Sequence, residues 1–257
     1  MITVLLVGLA TAVAVMIVGW LIASLWLGNI GLIDVFWGGG FVAVAVATLL
    51  WEGEVSSRAL LVLCCVAAWG LRLAIHLGRR NLGAEEDYRY AQMRARHGAW
   101  FRYRSLVSVF MLQGVLLWIV SWPLAAAITE PSPSSLVLLD YVGLAVFGAG
   151  FLIEIVADAQ LARFRSDPAN AGVVLDRGLW RWSRHPNYFG DALVWWGLFL
   201  IAAATGAWWT VVGPLLLTGM LLTVSGVPLL EKRQLATRPG YAAYAERTSS
   251  FIPLPPR

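Results

Sequence analysis

Charge is what this chain has little of. Only 13% of its 257 residues are Asp, Glu, Lys or Arg, against 59% hydrophobic ones, and none of the charged residues precedes Asp34. Soluble domains carry about 25% charged residues, so this composition excludes one and marks an integral membrane protein. The uncharged opening run has no basic start and is longer than the apolar core of a signal peptide, so it is expected to be a retained first membrane span. Histidine and cysteine are scarce too. His76, His97 and His185 lie far apart in sequence, and Cys64 and Cys65 are neighbours within one apolar run. Neither a metal-ligand spacing nor a disulfide framework is suggested, and the cysteines are expected to pack in the core. The chain also lacks a G-x-G-x-x-G after a strand, a Walker A loop, an H-E-x-x-H helix and a serine in a nucleophile elbow. Those absences remove the main support for soluble dinucleotide-binding, P-loop, zinc-hydrolase and serine-hydrolase chemistry.

What is present is a series of long apolar runs rich in tryptophan, with 14 Trp in all. Hydropathy places spans at roughly residues 3–27, 33–50, 58–77, 105–127, 136–157, 187–204 and 207–229, each near the length needed to cross the bilayer core. Strand-like alternation is absent, and a continuous apolar run satisfies its backbone in lipid only as a helix. The expected fold is all-α: a polytopic membrane helical bundle of about seven transmembrane helices, forming a single integral membrane domain over residues 1–257. Gly38-Gly39-Gly40 and Gly148-Ala149-Gly150 fall inside spans and read as packing glycines.

The basic residues orient this bundle. Seventeen of the 19 Lys and Arg residues fall between spans three and four, between spans five and six, or in the tail, all on one side of a seven-span chain. The positive-inside rule puts that side in the cytoplasm, with the N terminus outside and the C terminus cytoplasmic. The opposite loops, Glu52-Gly53-Glu54 and Thr129-Glu130-Pro131-Ser132-Pro133, are short and acidic or neutral. Topology and anionic lipid account for the net charge of +4, and without a soluble domain or a base-stacking platform no nucleic-acid partner is expected. The expected location is a bacterial inner membrane, or the endoplasmic reticulum in a eukaryote.

Polar residues entering a membrane need a reason, and the densest group is Trp180-Arg181-Trp182-Ser183-Arg184-His185-Pro186-Asn187-Tyr188-Phe189-Gly190-Asp191. Proline loses no hydrogen bond at a helix start, so Pro186 reads as a first helical residue. Asn187 and Asp191 then share a face, with Arg184 and His185 at the helix mouth, where free N–H groups and the positive dipole end suit an anionic ligand. Glu154 and Asp158 share a face of the preceding span, with Arg165 two turns further on. Carboxylates at such depth are costly and point to function by default, the plain alternative being an ion pair that ties this span to Arg184 or Arg163. Span five runs inward and span six outward, so Glu154 and Asp191 are expected at similar depth. Two further segments face the same side. Gly78 to Tyr90, with Glu85, Glu86, Asp87 and Tyr88, leads into an Arg-rich interfacial helix or merely a solvated face. The tail from Glu231 through Tyr241, Tyr244 and Arg247 to Pro253 reads as a binding element or as a plain surface helix. Arginines are what a large polyanionic cofactor needs when no glycine loop holds its phosphates.

Ser183-Arg184-His185-Pro186-Asn187-Tyr188-Phe189-Gly190-Asp191, the aromatic span after it and the tail Tyr241-Ala242-Ala243-Tyr244…Phe251-Ile252-Pro253 resemble the C-terminal half of the steroid 5α-reductase and sterol reductase superfamily. The likeness covers about residues 140–257. It implies a membrane bundle that binds NADPH from the cytoplasmic side and reduces a carbon–carbon double bond of a steroid or related lipid. By the same resemblance residues 136–257 hold the cofactor through Asn187 and Asp191, with Arg184, His185, Tyr188 and Tyr244 nearby and Glu154, Asp158 and Arg165 on span five. Glu154 stands where the steroid reductases have an amide. Residues 1–127, on the substrate side, match only loosely. Asp34 falls where the family's early acid lies, whereas Trp69 falls about where its tyrosine is expected, which leaves Tyr88 as the substitute donor.

The chemistry suits such donors. Hydride addition at the β carbon of an enone builds negative charge on the carbonyl oxygen, and a hydrogen-bond donor in a dry cavity stabilises it. A carboxyl kept neutral by an apolar site is one such donor. Asp34, flanked by Ile33, Val35, Phe36 and Trp37, has that local setting, its alternative being an N-terminal helix cap. Two rival functions stand beside the reductase. Isoprenylcysteine methyltransferases share an Arg-His-Pro-x-Tyr-x-Gly motif and use S-adenosylmethionine, which carries no phosphate. A non-catalytic lipid-binding or transport protein explains the spans but not the polar mouth, and internal repeats of the transporter kind are not apparent. Asn187, Asp191 and the number of arginines favour the reductase, with a hydrophobic small molecule as substrate.

Overall fold

The computed structural model describes residues 1–83, 85–130, 133–224 and 226–257. Ala84 of the first predicted cytoplasmic segment, Pro131 and Ser132 of the second predicted outer loop, and Ser225 of the predicted seventh span lie outside the described residues. Among the described residues the regular structure is helical, with one isolated bridge between Ser183 and Ser249. Six stretches among the described residues are long and apolar enough to cross a membrane: Ile2–Trp26, Ile30–Glu52, Ser57–Asn81, Tyr88–Val120, Leu138–Arg165 and Trp208–Thr237. The protein is an all-α polytopic helical bundle. Hydropathy alone predicts seven spans. The difference is the predicted sixth, which forms a helix, Pro186–Ala203, of 18 residues, about 27 Å long. Its first two turns carry Asn187, Tyr188 and Asp191, and these polar groups hold it below the apolar content of the other six.

Packing divides the chain into two compact units. The first comprises Met1–Val137 and Ile201–Thr210. It contains α1 (Ile2–Trp20), which continues as a π-helical turn to Trp26, then α2 (Ile33–Glu52) and α3 (Ser57–Asn81). After these come α4 (Tyr88–His97), α5 (Phe101–Ser105), α6 (Leu112–Val120) and α7 (Trp122–Thr129). Helices α2 and α3 meet backbone to backbone: a Cβ on Gly38 would stand 2.4 Å from the Gly70 carbonyl oxygen, and one on Gly70 would stand 2.5 Å from that of Gly38. Apolar burial supplies no driving force between helices in lipid, so close approach at small residues and the dispersion contacts it permits do the work. Of the predicted packing glycines, Gly38 and Gly40 are pressed against neighbours while Gly39 faces open space. Arg58, one of the two basic residues outside the Arg-rich segments, is buried at the start of α3. It donates to the carbonyls of Pro133 and Ser135 at 2.9 and 3.2 Å.

The second unit comprises Leu138–Leu200 and Val211–Arg257. It contains α8 (Leu138–Arg165), the body of α9 (Pro186–Ala203), α10 (Val212–Thr223), α11 (Val227–Thr237) and α12 (Tyr241–Arg247). Glycines set the register of α8 on α9. A Cβ on Gly197 would lie 2.5 Å from Phe147 N, one on Gly150 2.6 Å from Gly190 O, and one on Gly190 2.7 Å from Glu154 N. As the α9 number falls the α8 number rises, so the two helices are antiparallel and in contact along about three turns. The same register carries on to Asn187 and Asp158.

Candidate functional site

The α8–α9 contact positions the polar side chains of the second unit. Glu154 and Asp158 are buried on α8, one turn apart. Opposite them, Asn187 donates from Nδ2 to Asp158 Oδ1 at 3.2 Å. The backbone of Gly190 lies against Glu154, so the half-buried Asp191 stands level with Glu154, as the opposed directions of the two helices require. Arg165, at the α8 C terminus, lies seven residues beyond Asp158, about 10 Å along the helix. It lines a concavity of about 380 Å³ with Arg233, Gln234, Thr237 and Arg238.

The remaining motif residues turn to the tail. Arg184 donates from Nε to Glu231 Oε1 at 2.7 Å and from Nη1 to the carbonyls of Ala245 and Thr248, both at 2.6 Å. Those carbonyls close α12, so the guanidinium caps that helix while pairing with α11. His185 is buried, with its ring stacked on Tyr188 at 5.6 Å between centroids. Its Nε2 stands 3.4 Å from Glu231 Oε1. Tyr244 donates its hydroxyl hydrogen to the Trp180 carbonyl, and the Trp180 indole donates to Ala157 O on α8 at 3.1 Å. Ser183 donates to Phe251 O at 2.7 Å, and Phe189 meets the Phe251 ring edge-on. Burial, with the charge of Glu231 adding to it, pushes the Tyr241 hydroxyl up to about 12.

Two groups thus emerge from the predicted set. Glu154, Asp158, Asn187 and Asp191 gather on α8 and α9. Arg184, His185, Tyr188 and Tyr244 belong to a clasp between the motif and the tail, whose centre is Glu231. The carboxylate partner of Arg184 is Glu231, where the alternative reading of the sequence has Glu154. Sequence reasoning misses Glu231 as a site residue, although a lone acid following Leu229 and Leu230 is the signal that could find it.

In the first unit, the turn between α1 and α2 is fastened to the segment before α4. Glu86 accepts from Ile30 N at 3.0 Å and from Arg94 at 2.9 and 2.8 Å. Burial works against its charge, but the Arg94 and Ile30 hydrogen bonds hold its carboxyl below the usual range. Asp87 caps α4, accepting from Arg89 N at 2.9 Å. Asp34, half-buried in the first turn of α2, lies within electrostatic reach of Arg89, Arg80, Asp87 and Tyr90. Tyr90 is buried and Tyr88 half-buried. They are two residues apart on α4 and so point to different sides of it. Tyr90 lies within electrostatic reach of Asp34 and joins Tyr88, the phenol the sequence names, as a candidate donor.

A family profile described as a protein of unknown function, DUF1295, matches residues 19–248. The chain belongs to the DUF1295 family. This DUF1295 member is similar to an uncharacterized protein of Schizosaccharomyces pombe (strain 972), with 26% identity over 261 residues, covering 90% of this chain and 74% of the yeast one. No solved structure matches it. The profile takes in both units, including Asp34, Tyr90, the α8–α9 pair and Glu231.

Proposed function

We propose that the protein is a membrane reductase that uses NADPH to saturate the carbon–carbon double bond of a steroid-like or other lipid enone. The observation that carries this reading is the Asn187–Asp158 contact, with Glu154 and Asp191 beside it, on two helices that glycines draw together inside an apolar bundle. Intramembrane polar groups arranged in this way call for a polar ligand. The donor set fits the cofactor. The Asn187 amide and the Asp158 and Asp191 carboxylates match carboxamide and ribose hydroxyl groups, and Arg165 with Arg233 and Arg238 matches phosphates. When bound, NADPH supplies hydride.

The chain's own part in the reaction is to bind and to polarise. Asp34 and Tyr90 are proposed as the donors to the substrate carbonyl oxygen, where charge develops as the double bond is reduced. Apolar surroundings strengthen such hydrogen bonds. The clasp of Arg184, His185 and Glu231 keeps the start of α9 fixed, and with it Asn187. The proposed orientation has the N terminus outside and the Arg-rich segments in the cytoplasm, where soluble NADPH is found.

Thermal unfolding of detergent-purified protein tests the ligand class. A ligand that binds only the folded state adds about 2.7 kcal/mol at a hundred times its Kd. NADPH is expected to raise the melting temperature and S-adenosylmethionine to leave it unchanged. The reverse result would assign a methyltransferase, and no response to either would leave a lipid-binding protein.

A further inference from the structure

Away from the α8–α9 pair, the connector 166–185 and the tail 248–257 enclose a second concavity, of about 540 Å³. Its walls include Asp176, Arg177, Arg181, Arg247, Thr248 and Arg257. None of these belongs to the candidate cofactor set. The walls are held by backbone bonds: Arg184 N donates to Ser249 O at 2.8 Å, Leu254 N to Trp182 O at 3.0 Å and Arg257 N to Arg247 O at 2.9 Å. The tail is therefore laid along the connector as a formed strap, which brings these arginines to one concavity.

The charge within these walls is one-sided. Four guanidiniums line it beside one side-chain carboxylate, and that carboxylate is engaged: Asp176 Oδ2 accepts from Arg247 Nη2 at 2.6 Å. Arg177 lies over the Phe164 ring at 5.5 Å, which fixes its stem. Among the described residues, Arg177, Arg181 and Arg257 form no ion pair with a carboxylate. Like charges gathered in one concavity repel, and an anion between them relieves the repulsion. Guanidinium forks match phosphate oxygens two at a time.

We propose that this pocket binds a phosphate-bearing ligand, with Arg177, Arg181 and Arg257 holding its oxyanions and the Asp176–Arg247 pair fixing the wall beside them. The ligand is a soluble phosphate compound or the headgroup of an anionic lipid, and the chemistry of recognition is the same for both.

The test uses the full chain and inorganic pyrophosphate, and it is told apart from the NADPH reading by its variants, which lie outside the residues proposed for that cofactor. Pyrophosphate is expected to stabilise the purified protein against heat. The double variant Arg177→Gln, Arg181→Gln, with Arg257→Gln as a separate single variant, is expected to melt as wild type without ligand and to bind pyrophosphate roughly ten- to a hundredfold more weakly, as the loss of charge-assisted hydrogen bonds requires. Nanodiscs of phosphatidylcholine alone and with phosphatidylglycerol separate the two sources. If pyrophosphate stabilises equally in both discs, the ligand is a soluble phosphate. If phosphatidylglycerol itself stabilises wild type but not the double variant, and blunts the pyrophosphate effect, the ligand is the lipid headgroup. The proposal is overturned if neither anion stabilises wild type, or if both do so equally well in the variants.

Discussion

Gly190 and Glu154 touch through their backbones: a Cβ on the glycine would stand 2.7 Å from the amide nitrogen of the glutamate. The polar chemistry of the second unit depends on that contact, because it sets the level at which Asn187 meets Asp158. Gly190→Ala is expected to push α9 off α8 and to destabilise the protein by about 1–3 kcal/mol, the usual cost of overpacking. A Cβ on Gly148 of α8 would meet nothing within 4 Å, so Gly148→Ala is expected to be neutral or to stabilise by up to about 1 kcal/mol. Melting temperatures of the two variants in one detergent check this.

Arg184 is tied to Glu231 and to two carbonyls at the end of α12, with only 12% of its side chain exposed. Arg184→Ala leaves the Glu231 carboxylate without its guanidinium and is expected to cost roughly 3 kcal/mol or more. The double change Arg184→Met, Glu231→Leu is expected to recover a large part of that loss. Limited proteolysis of residues 241–257 reports the same event as faster cleavage in the single variant.

The carboxyl of Glu86 has its folded-state pKa below its unfolded value, which is about 4.5. Its contribution to stability is therefore complete above that value and is lost as pH falls through the lower folded value. Glu86→Gln is expected to lower the melting temperature at neutral pH and to flatten the acid limb of stability against pH. At the alkaline end, the Tyr241 hydroxyl ionises near 12 in the fold and near 10 when unfolded, so its contribution falls between those values. Tyr241→Phe is expected to remove that alkaline decline, as read from thermal unfolding across pH.

Asp34 and Tyr90 are proposed to act on the substrate and not on the cofactor. Losing one oxyanion donor costs on the order of a hundredfold in turnover. Asp34→Leu and Tyr90→Phe are each expected to show such a loss in enone-dependent NADPH oxidation while NADPH affinity stays as in wild type, and Asp34→Asn a smaller one. Tyr88→Phe is expected to stay near wild type. The reverse ranking of the two phenols would return the role to Tyr88.

Much of this is legible in the sequence. The apolar runs that make α1, α2, α3 and α8 declare themselves by hydropathy, and Pro186 marks the start of α9 because a proline costs nothing there. Gly38 and Gly150 read correctly as packing glycines. Gly39 and Gly148 do not, because which side of a helix meets a neighbour is decided by tertiary contact and not by composition. The clasp is hidden for a related reason. Arg184 and Glu231 are 47 residues apart, and nothing local says which acid the arginine will meet. Tyr90 is not singled out because nothing local in the sequence shows that it comes within electrostatic reach of Asp34.

The central claim is that α8 and α9 hold a phosphate-bearing nicotinamide cofactor through Asn187 and Asp191, and titration of NADPH into purified wild type, Asn187→Ala and Asp191→Ala tests it most directly. Wild type is expected to bind, and each variant to keep the wild-type fold while losing roughly tenfold or more in affinity, the scale of a lost hydrogen bond to a charged group. Failure of wild type to bind NADPH, or unchanged affinity in both variants, would contradict the account.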